Sequence, residues 1–460
     1  MKKLLVILIL FPFSLIAQNV KGIVVSQKTE LPIEGVNIFD LLSNSATTTN
    51  DKGEFNLNLP NNFREETIFQ FSHIGYITKK ISLADVKKLN FKIGLSEEVE
   101  NLSGLTIGEG QRVKLKPKLS YTKLTSLKYG VFSFGSVLNN GKIYIIGGDA
   151  SYKMDTWEKI KKDRPEFTTL DYLKELSYQS TAEFYKNSLQ IYDIKTDTWQ
   201  YFKLNFKKRA YHNLNFYDNK LYVLGGKSLS KNAAFEYLEN EIEVFDLNSQ
   251  NIKIDKTYPH QASNAVSITY KDNIIIIGGS TKAKEKGPTE FTNKVHLYNI
   301  TSGYWYELPN MPTAKETSGI LVNGKIYVIG GNNGNPISEM ETFDLVTEKW
   351  QTEGELFSAL EKPAATFHDN IIYFFENRKM YLYDTKSKQL KEYAVDLGLT
   401  ECALYYDNNK LYILGGAIEN NLTKAPSSNV YSINVDEFET TKPDRIKILS
   451  PNLNLAKATE

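Results

Sequence analysis

Eight side chains carry most of the chemistry that this sequence offers: Arg209, Tyr211, His212, His260, Asn264, Glu316, Lys362 and Glu401. An arginine, two histidines and two carboxylates around one concavity could bind an anionic sugar or a peptide. Glu316, His212 and Glu401 could also supply an acid/base pair for proton transfer. No spacing rule ties these groups together. What they share is a place near the start of an apolar strand, where Tyr129 and Lys315 also stand. The plain structural reading is that such strands need polar ends beside a water-filled channel. Other chemistries lack their signatures: there is no HExxH, Walker or GxSxG pattern. The glycine pairs end strands with no helix following, so they are not phosphate loops. The five histidines are scattered, and His73, His296 and His368 read as structural residues within strands. No metal site and no cofactor are expected.

The elements that must position these groups are repeats. Residues 321–350, LVNGKIYVIGGNNGNPISEMETFDLVTEKW, hold a strand, the turn Asn323-Gly324, an apolar strand ending at Gly330-Gly331, a loop, Phe343-Asp344 and Trp350. Asn-Gly between apolar runs specifies a hairpin, because both central turn residues need positive φ. The unit recurs with glycine pairs at Gly147-Gly148, Gly225-Gly226, Gly278-Gly279 and Gly415-Gly416; a sixth copy has Glu376-Asn377 instead. Downstream aromatic-polar pairs begin at Tyr192, Phe245, Tyr298, Phe343, Tyr383 and Tyr431. Seven residues beyond each stand Trp199, Ile252, Trp305, Trp350, Leu390 and Phe438.

A period of about 50 residues built of four strands is the kelch signature. The stretch 128–449 therefore resembles the kelch and galactose-oxidase family of β-propellers, and six units imply six blades. In that topology the loops after the glycines share a face with the starts of the inner strands. The long segments 149–187, 227–239, 280–292 and 417–428 fall there, while the opposite hairpins stay tight, which marks the variable face as the functional one. Within the 149–187 insert, Leu170, Leu173 and Leu176 with Tyr172 suggest a short amphipathic helix, either a lid over the pore or a decoration packed on the first blade. Copper chemistry of the galactose-oxidase kind would draw on Tyr211-His212 and His260, but Cys402, in the strand ECALYY, reads as a small core residue. The resemblance to bacterial sialic-acid epimerases, six-bladed kelch proteins, makes Arg209, His212, Glu316 and Glu401 candidates for carboxylate binding and proton transfer. Those enzymes do not generally carry the N-terminal unit seen here.

Residues 1–17 have Lys2 and Lys3, an apolar run and a small residue before Gln18, the layout of a secretory signal peptide. Residues 18–95 alternate as strands with turns at Glu34-Gly35 and at Asp51 to Gly53. They resemble the carboxypeptidase regulatory-like domain, a transthyretin-like β-sandwich, through Gly22, Gly35-Val36, Thr49, Gly53, Phe55 and Gly75-Tyr76. Such domains imply a fold-stabilising or interaction role without catalytic residues, and Asp51 reads as a turn residue rather than a calcium ligand. Residues 96–127 read as a linker and 450–460 as a tail. A strand from residues 113–124, or RIKIL after Pro443, would close the ring. Fifty-five Lys plus Arg against 54 Asp plus Glu leave a net charge of +1, so nothing points to nucleic acid or a membrane surface. Cys402 is the only cysteine, so no intramolecular disulfide is possible.

The expected protein is all-β: a small β-sandwich followed by a six-bladed kelch propeller. It is expected to be secreted, periplasmic or associated with the outer membrane, to be monomeric, to lack a membrane span after signal cleavage, and to hold a protein or glycan ligand on its loop face. The alternative is a sugar-modifying enzyme of the epimerase or mutarotase type, acting at the channel.

Overall fold

Turn chemistry sets the register of the strands. Asn323 and Gly324 take φ of 49° and 79°, and Asn140-Gly141, Asp218-Asn219 and Asn408-Asn409 also have positive φ at both positions. Each pair joins two antiparallel strands as a tight hairpin. The computed structural model describes residues 18–40, 45–59, 67–73, 76–96, 115–178, 185–230, 235–281 and 289–451. The chain divides into two units, Met1–Arg112 and Val113–Glu460. The expected signal segment 1–17, Gly75, most of the expected linker and most of the tail lie outside the described residues.

In the first unit, Gln18–Ser26 pairs antiparallel with Glu54–Leu59 and parallel with Lys92–Leu95. A second sheet orders Ala46–Thr48, Asn37–Asp40, Ile68–His73 and Tyr76–Ser82. Strict alternation in Glu54–Leu59 sends Phe55, Leu57 and Leu59 inward, where they share one core with Val24, Ile38, Phe69 and Phe71. Thr49 is buried because its hydroxyl is fully used: it accepts from the Val36 amide at 2.8 Å and donates to the Ile33 carbonyl at 2.7 Å.

The second unit repeats one antiparallel sheet. The first sheet contains Gly135–Asn139, Lys142–Ile146, Leu189–Asp193 and Thr198–Phe202; the second, Asn213–Tyr217, Lys220–Leu224, Ile242–Asp246 and Ile252–Asp255. The third contains Val266–Tyr270, Asn273–Ile277, Val295–Asn299 and Trp305–Leu308; the fourth, Glu316–Val322, Lys325–Asn332, Ile337–Asp344 and Lys349–Leu360. The fifth holds Ala364–His368, Ile371–Glu376, Lys379–Asp384 and Gln389–Ala394, and Arg445–Ile448 adds a further strand at its edge. In the sixth, Ala403–Asp407, Lys410–Leu414 and Val430–Asn434 are completed by Thr122–Leu124 from the start of the unit. Part of the expected linker is thus structural: Leu119 is buried against Tyr373 and Val395.

The second strand of each sheet reads as an unbroken apolar run because it is covered on both faces. Ile143 and Ile145 pack with Tyr412 and Leu414 of the sixth sheet, whereas Tyr144 and Ile146 pack with Leu221 and Val223 of the second. The same two-sided burial relates each sheet to its neighbours along the series. The first strands lie side by side, and small residues on them, among them Ser136, Ser267, Gly319, Ala365 and Ala403, line a passage of about 200 Å³.

The seven-residue spacing from aromatic to tryptophan places the two residues opposite each other across the outer hairpin. Tyr192 faces Trp199, Tyr298 faces Trp305 and Phe343 faces Trp350, with ring centroids 4.7 to 4.9 Å apart. Each indole N–H then reaches the preceding sheet's outer end: Trp199 donates to the Thr125 carbonyl, Trp305 to Thr257 Oγ1 and Trp350 to the Pro309 carbonyl, at 2.9 to 3.0 Å. Phe438 departs from the pattern. It lies in the helix Glu437–Thr440, because the residue opposite Tyr431 is Lys123.

The glycine corners tie successive sheets by their backbones. The N–H of Gly148 donates to the Arg209 carbonyl, Gly226 to Ala262, Gly279 to Lys315 and Gly416 to Val131, at 2.8 to 3.0 Å. At Gly226, φ is +80° and a Cβ would stand 2.5 Å from the Ala210 carbonyl oxygen, so no side chain fits without moving backbone. The fifth sheet keeps the bond, from the Asn377 N–H to the Leu399 carbonyl at 2.9 Å, without glycine. Its positive-φ pair falls at Asn377-Arg378 rather than Glu376-Asn377, because these two residues form a tight hairpin turn in place of a long loop.

The insert also differs from expectation. It forms two helices, Thr156–Asp163 and Thr169–Tyr178, with Trp157 packed edge-on against Phe167 and Tyr172. Leu170, Leu173 and Leu176 point to solvent. Lys153–Met154, just before the helices, pairs with Thr423–Pro426 of the sixth sheet's loop.

Gly324→Ala places its Cβ in open space and should cost about 1 kcal/mol of backbone strain. Gly226→Ala should cost about 1–3 kcal/mol more, because backbone must also be displaced. Urea denaturation of both variants measures the difference, and equal losses would refute the close backbone packing at the corner.

Candidate functional site

The loops that follow the second strands and the segments that lead into the first strands meet around a cavity of about 700 Å³. Of the eight residues singled out in sequence, Tyr211, Asn264, Glu316, Lys362 and Glu401 line it. They are linked to one another and to the cavity wall. Lys362 Nζ donates to Asn264 Oδ1, and Asn264 Nδ2 donates to Glu316 Oε2 at 2.9 Å, so segments entering the third, fourth and fifth sheets share one chain of hydrogen bonds. Glu401 is held by Lys424 Nζ and Ser133 Oγ. Tyr211 donates to Asp149 Oδ2 at 3.0 Å.

Arg209, His212 and His260 are elsewhere, and each is buried for a structural reason. Arg209 is fully enclosed; its guanidinium donates to Glu243 Oε2 at 2.6 Å and to the Gly225 carbonyl at 3.2 Å. It pins the segment entering the second sheet onto that sheet's third strand. His212 Nε2 accepts the Gly135 N–H at 3.1 Å, and burial, with Arg209 nearby, holds its pKa well below the usual imidazole range. His260 bonds His296 and the Gly278 carbonyl, both at 2.7 Å. The arginine expected to grip an anion is therefore committed to another carboxylate.

Sequence reasoning missed both the partners of these buried groups and most of the cavity wall. The partners occupy one repeated position, two residues before the aromatic of the third strand: Glu243 beside Arg209, His296 beside His260, and Glu341 beside Lys315 at 2.6 Å. A polar residue there, inside an apolar strand, was the available signal. The missed wall residues include Glu361, Glu376, Thr400, Glu419 and Lys424, together with Asn332, Asn377, Asn420 and Asn421. Glu376 stands where its sister repeats have glycine, and that departure from the repeat was legible.

The wall carries five glutamates, Glu316, Glu361, Glu376, Glu401 and Glu419, against Lys362 and Lys424. Lys424 serves Glu401 and lies 3.7 Å from Glu419. Among the described residues, Glu316, Glu361 and Glu376 have no cationic group within 4 Å. Burial raises the Glu376 pKa, opposed by the amides of Glu361 and Lys362 that bond its carboxylate at 3.1 and 2.8 Å. Burial also works against charge on Glu401, but Lys424 and Lys362 outweigh it and its pKa falls. Burial pulls Lys362 below its ordinary value, against the attraction of Glu401 and Glu316. The site is thus a polar, net acidic cavity suited to cations and to hydrogen-bonding groups.

Arg209→Met should destabilise the second unit by about 3–5 kcal/mol, because it leaves Glu243 buried without its partner. Arg209→Met with Glu243→Leu should recover most of that loss. Chemical denaturation measures both; an unchanged midpoint in the single variant would contradict the clamp.

Residues 179–377 match the KLHDC2/KLHL20/DRC7 Kelch-repeats domain, and residues 20–107 match the CarboxypepD_reg-like domain. The chain is 27% identical over 173 residues to Kelch-like protein 41b of Danio rerio, which spans 36% of this chain and 27% of that protein. It is 26% identical over 148 residues to Alpha-scruin of Limulus polyphemus, 31% of this chain and 15% of that protein. With Kelch repeat and BTB domain-containing protein 12 of Homo sapiens the identity is 23% over 179 residues, 36% of this chain and 29% of that protein. The chain thus covers less than a third of the length of these relatives. The repeated sheets and the glycine corners agree with these matches: the chain carries a kelch-repeat domain and, at its N-terminal end, a carboxypeptidase regulatory-like domain.

Proposed function

We infer that the second unit is a six-bladed propeller that works as a protein-interaction module, holding a partner segment that carries lysine or arginine in the acidic cavity of its loop face. The completion of the sixth sheet by Thr122–Leu124 and the Gly416 N–H bond to the Val131 carbonyl support the ring. The kelch-repeat relatives support the interaction role. One observation carries the choice of partner chemistry: among the described residues Glu316, Glu361 and Glu376 face the cavity with no cationic group within 4 Å, so an incoming cation meets carboxylates that lack a direct ion-pair partner. The enzyme alternative loses its constellation, since Arg209 and His212 lie outside the cavity. The five asparagines of the wall favour one second reading, a neutral glycan bound through amide hydrogen bonds. Export to the periplasm or cell surface accompanies this proposal and rests on the Lys-Lys and apolar character of residues 1–17.

A peptide array varied in lysine, arginine, aspartate and glutamate content, with neutral oligosaccharides alongside, tests the reading. Basic peptides should be retained and acidic ones should not. Glu316→Gln, which keeps the acceptor for Asn264, should weaken binding of the best peptide roughly tenfold by calorimetry, about 1.4 kcal/mol. Retention of acidic peptides, or an unchanged affinity in Glu316→Gln, would overturn it; binding of oligosaccharides alone would select the glycan reading.

A further inference from the structure

The position that Arg209 with Glu243 occupies in the second sheet, and Lys315 with Glu341 in the fourth, is filled in the third by His260 and His296. Those two clamps each pair a cation with a carboxylate; the one between them is made of two imidazoles. Its wiring can be worked out. The Gly278 carbonyl only accepts, so His260 Nε2, 2.7 Å away, must carry a proton. A neutral His260 then has a bare Nδ1, and the 2.7 Å contact between the two Nδ1 atoms requires His296 to donate from its own Nδ1. His296 Nε2 is left unprotonated, facing Glu307 Oε1 at 3.8 Å.

The clamp therefore takes one proton but not two. A first proton at His296 Nε2 is attracted by Glu307 and repelled by Lys294, which itself sits 3.5 Å from Glu307, and the bond to His260 survives. A second proton, at His260 Nδ1, sets two N–H groups against each other and breaks it. We propose that the His260–His296 pair is an acid-sensitive latch that holds the segment entering the third sheet and releases it when both rings are protonated. The segment matters because it carries Ala262, which accepts the inter-sheet bond from Gly226, and Asn264, which links Lys362 to Glu316 in the cavity. A shallow pocket lined by both rings, Lys294, Thr281 and Thr292 gives water a route to them.

Burial, with the neighbouring His296, lowers His260 to about 4, and burial also lowers His296. Lowered values mean that the unfolded chain binds more protons than the folded one. The stabilisation is complete above the usual histidine value of about 6.5 and is lost as the pH falls from there towards about 4.

Two measurements test the latch. Histidine-selective ¹⁵N spectroscopy near neutral pH should show His260 as the Nε2–H tautomer and His296 as the Nδ1–H tautomer; a proton on His296 Nε2 with Nδ1 bare would overturn the wiring. Hydrogen exchange, expressed as protection factors, should show residues 258–264 losing at least about tenfold more protection than residues 207–212 and 313–317 between about pH 7 and about pH 4.5. His296→Gln should flatten that difference, since an amide can turn to match either state of His260. Equal losses in the three segments, or a pH response unchanged in His296→Gln, would refute the latch. The consequence for Asn264 rests on the cavity being the binding site; the exchange experiment involves no ligand, so the latch and the site fail separately.

Discussion

One backbone hydrogen bond recurs through the second unit, and the rest of the architecture depends on it. At the ends of the second strands of the first, second, third, fifth and sixth sheets the chain turns through a left-handed corner and directs an N–H at the carbonyl of the segment entering the next sheet. The bond joins a donor of one sheet to an acceptor of the next, so it satisfies two backbone groups at once. It fixes the distance between neighbouring sheets, and the apolar strands can then interdigitate on both faces. The tryptophan N–H bonds perform the matching service at the outer ends. Inner and outer ties together set where every leading segment arrives, and the cavity is the place where they arrive.

The glycines show why the corner was readable and the site was not. A Cβ at Gly226 would collide with backbone, so the sequence has no alternative there, and a constraint without alternatives leaves a repeating signal. The hairpin turns and the seven-residue aromatic spacing were legible for the same reason. At Asn377-Arg378 a tight turn replaces the loop, glycine is no longer demanded, and the expected corner shifts by one residue.

The polar residues were legible as a set and not as individuals. Residues near the starts of the first strands do gather at one face, but a step of two or three residues along a leading segment separates a side chain in the cavity from one inside the sheet. Arg209 and Tyr211 are such a pair: the first is enclosed with Glu243, and the second reaches the wall. Strand alternation alone does not decide between them, because the leading segments are irregular. The deciding fact is the acidic partner on the third strand, distant in sequence. The leucines of the insert mislead in the opposite sense: their spacing is that of a buried face, yet they are exposed.

Charge then separates the binding readings. With Arg209 withdrawn into a structural pair, the cavity wall is left with more carboxylates than cations, and the partner proposed for it is therefore cationic rather than anionic. Zero-length carbodiimide cross-linking of the protein to a pool of amine-bearing peptides, followed by mass spectrometry, tests this most directly, because it couples a carboxylate only to an amine already in contact. The account predicts adducts at Glu316 and Glu361 that disappear at high salt. Adducts spread over exterior glutamates, with none in the cavity, would contradict it.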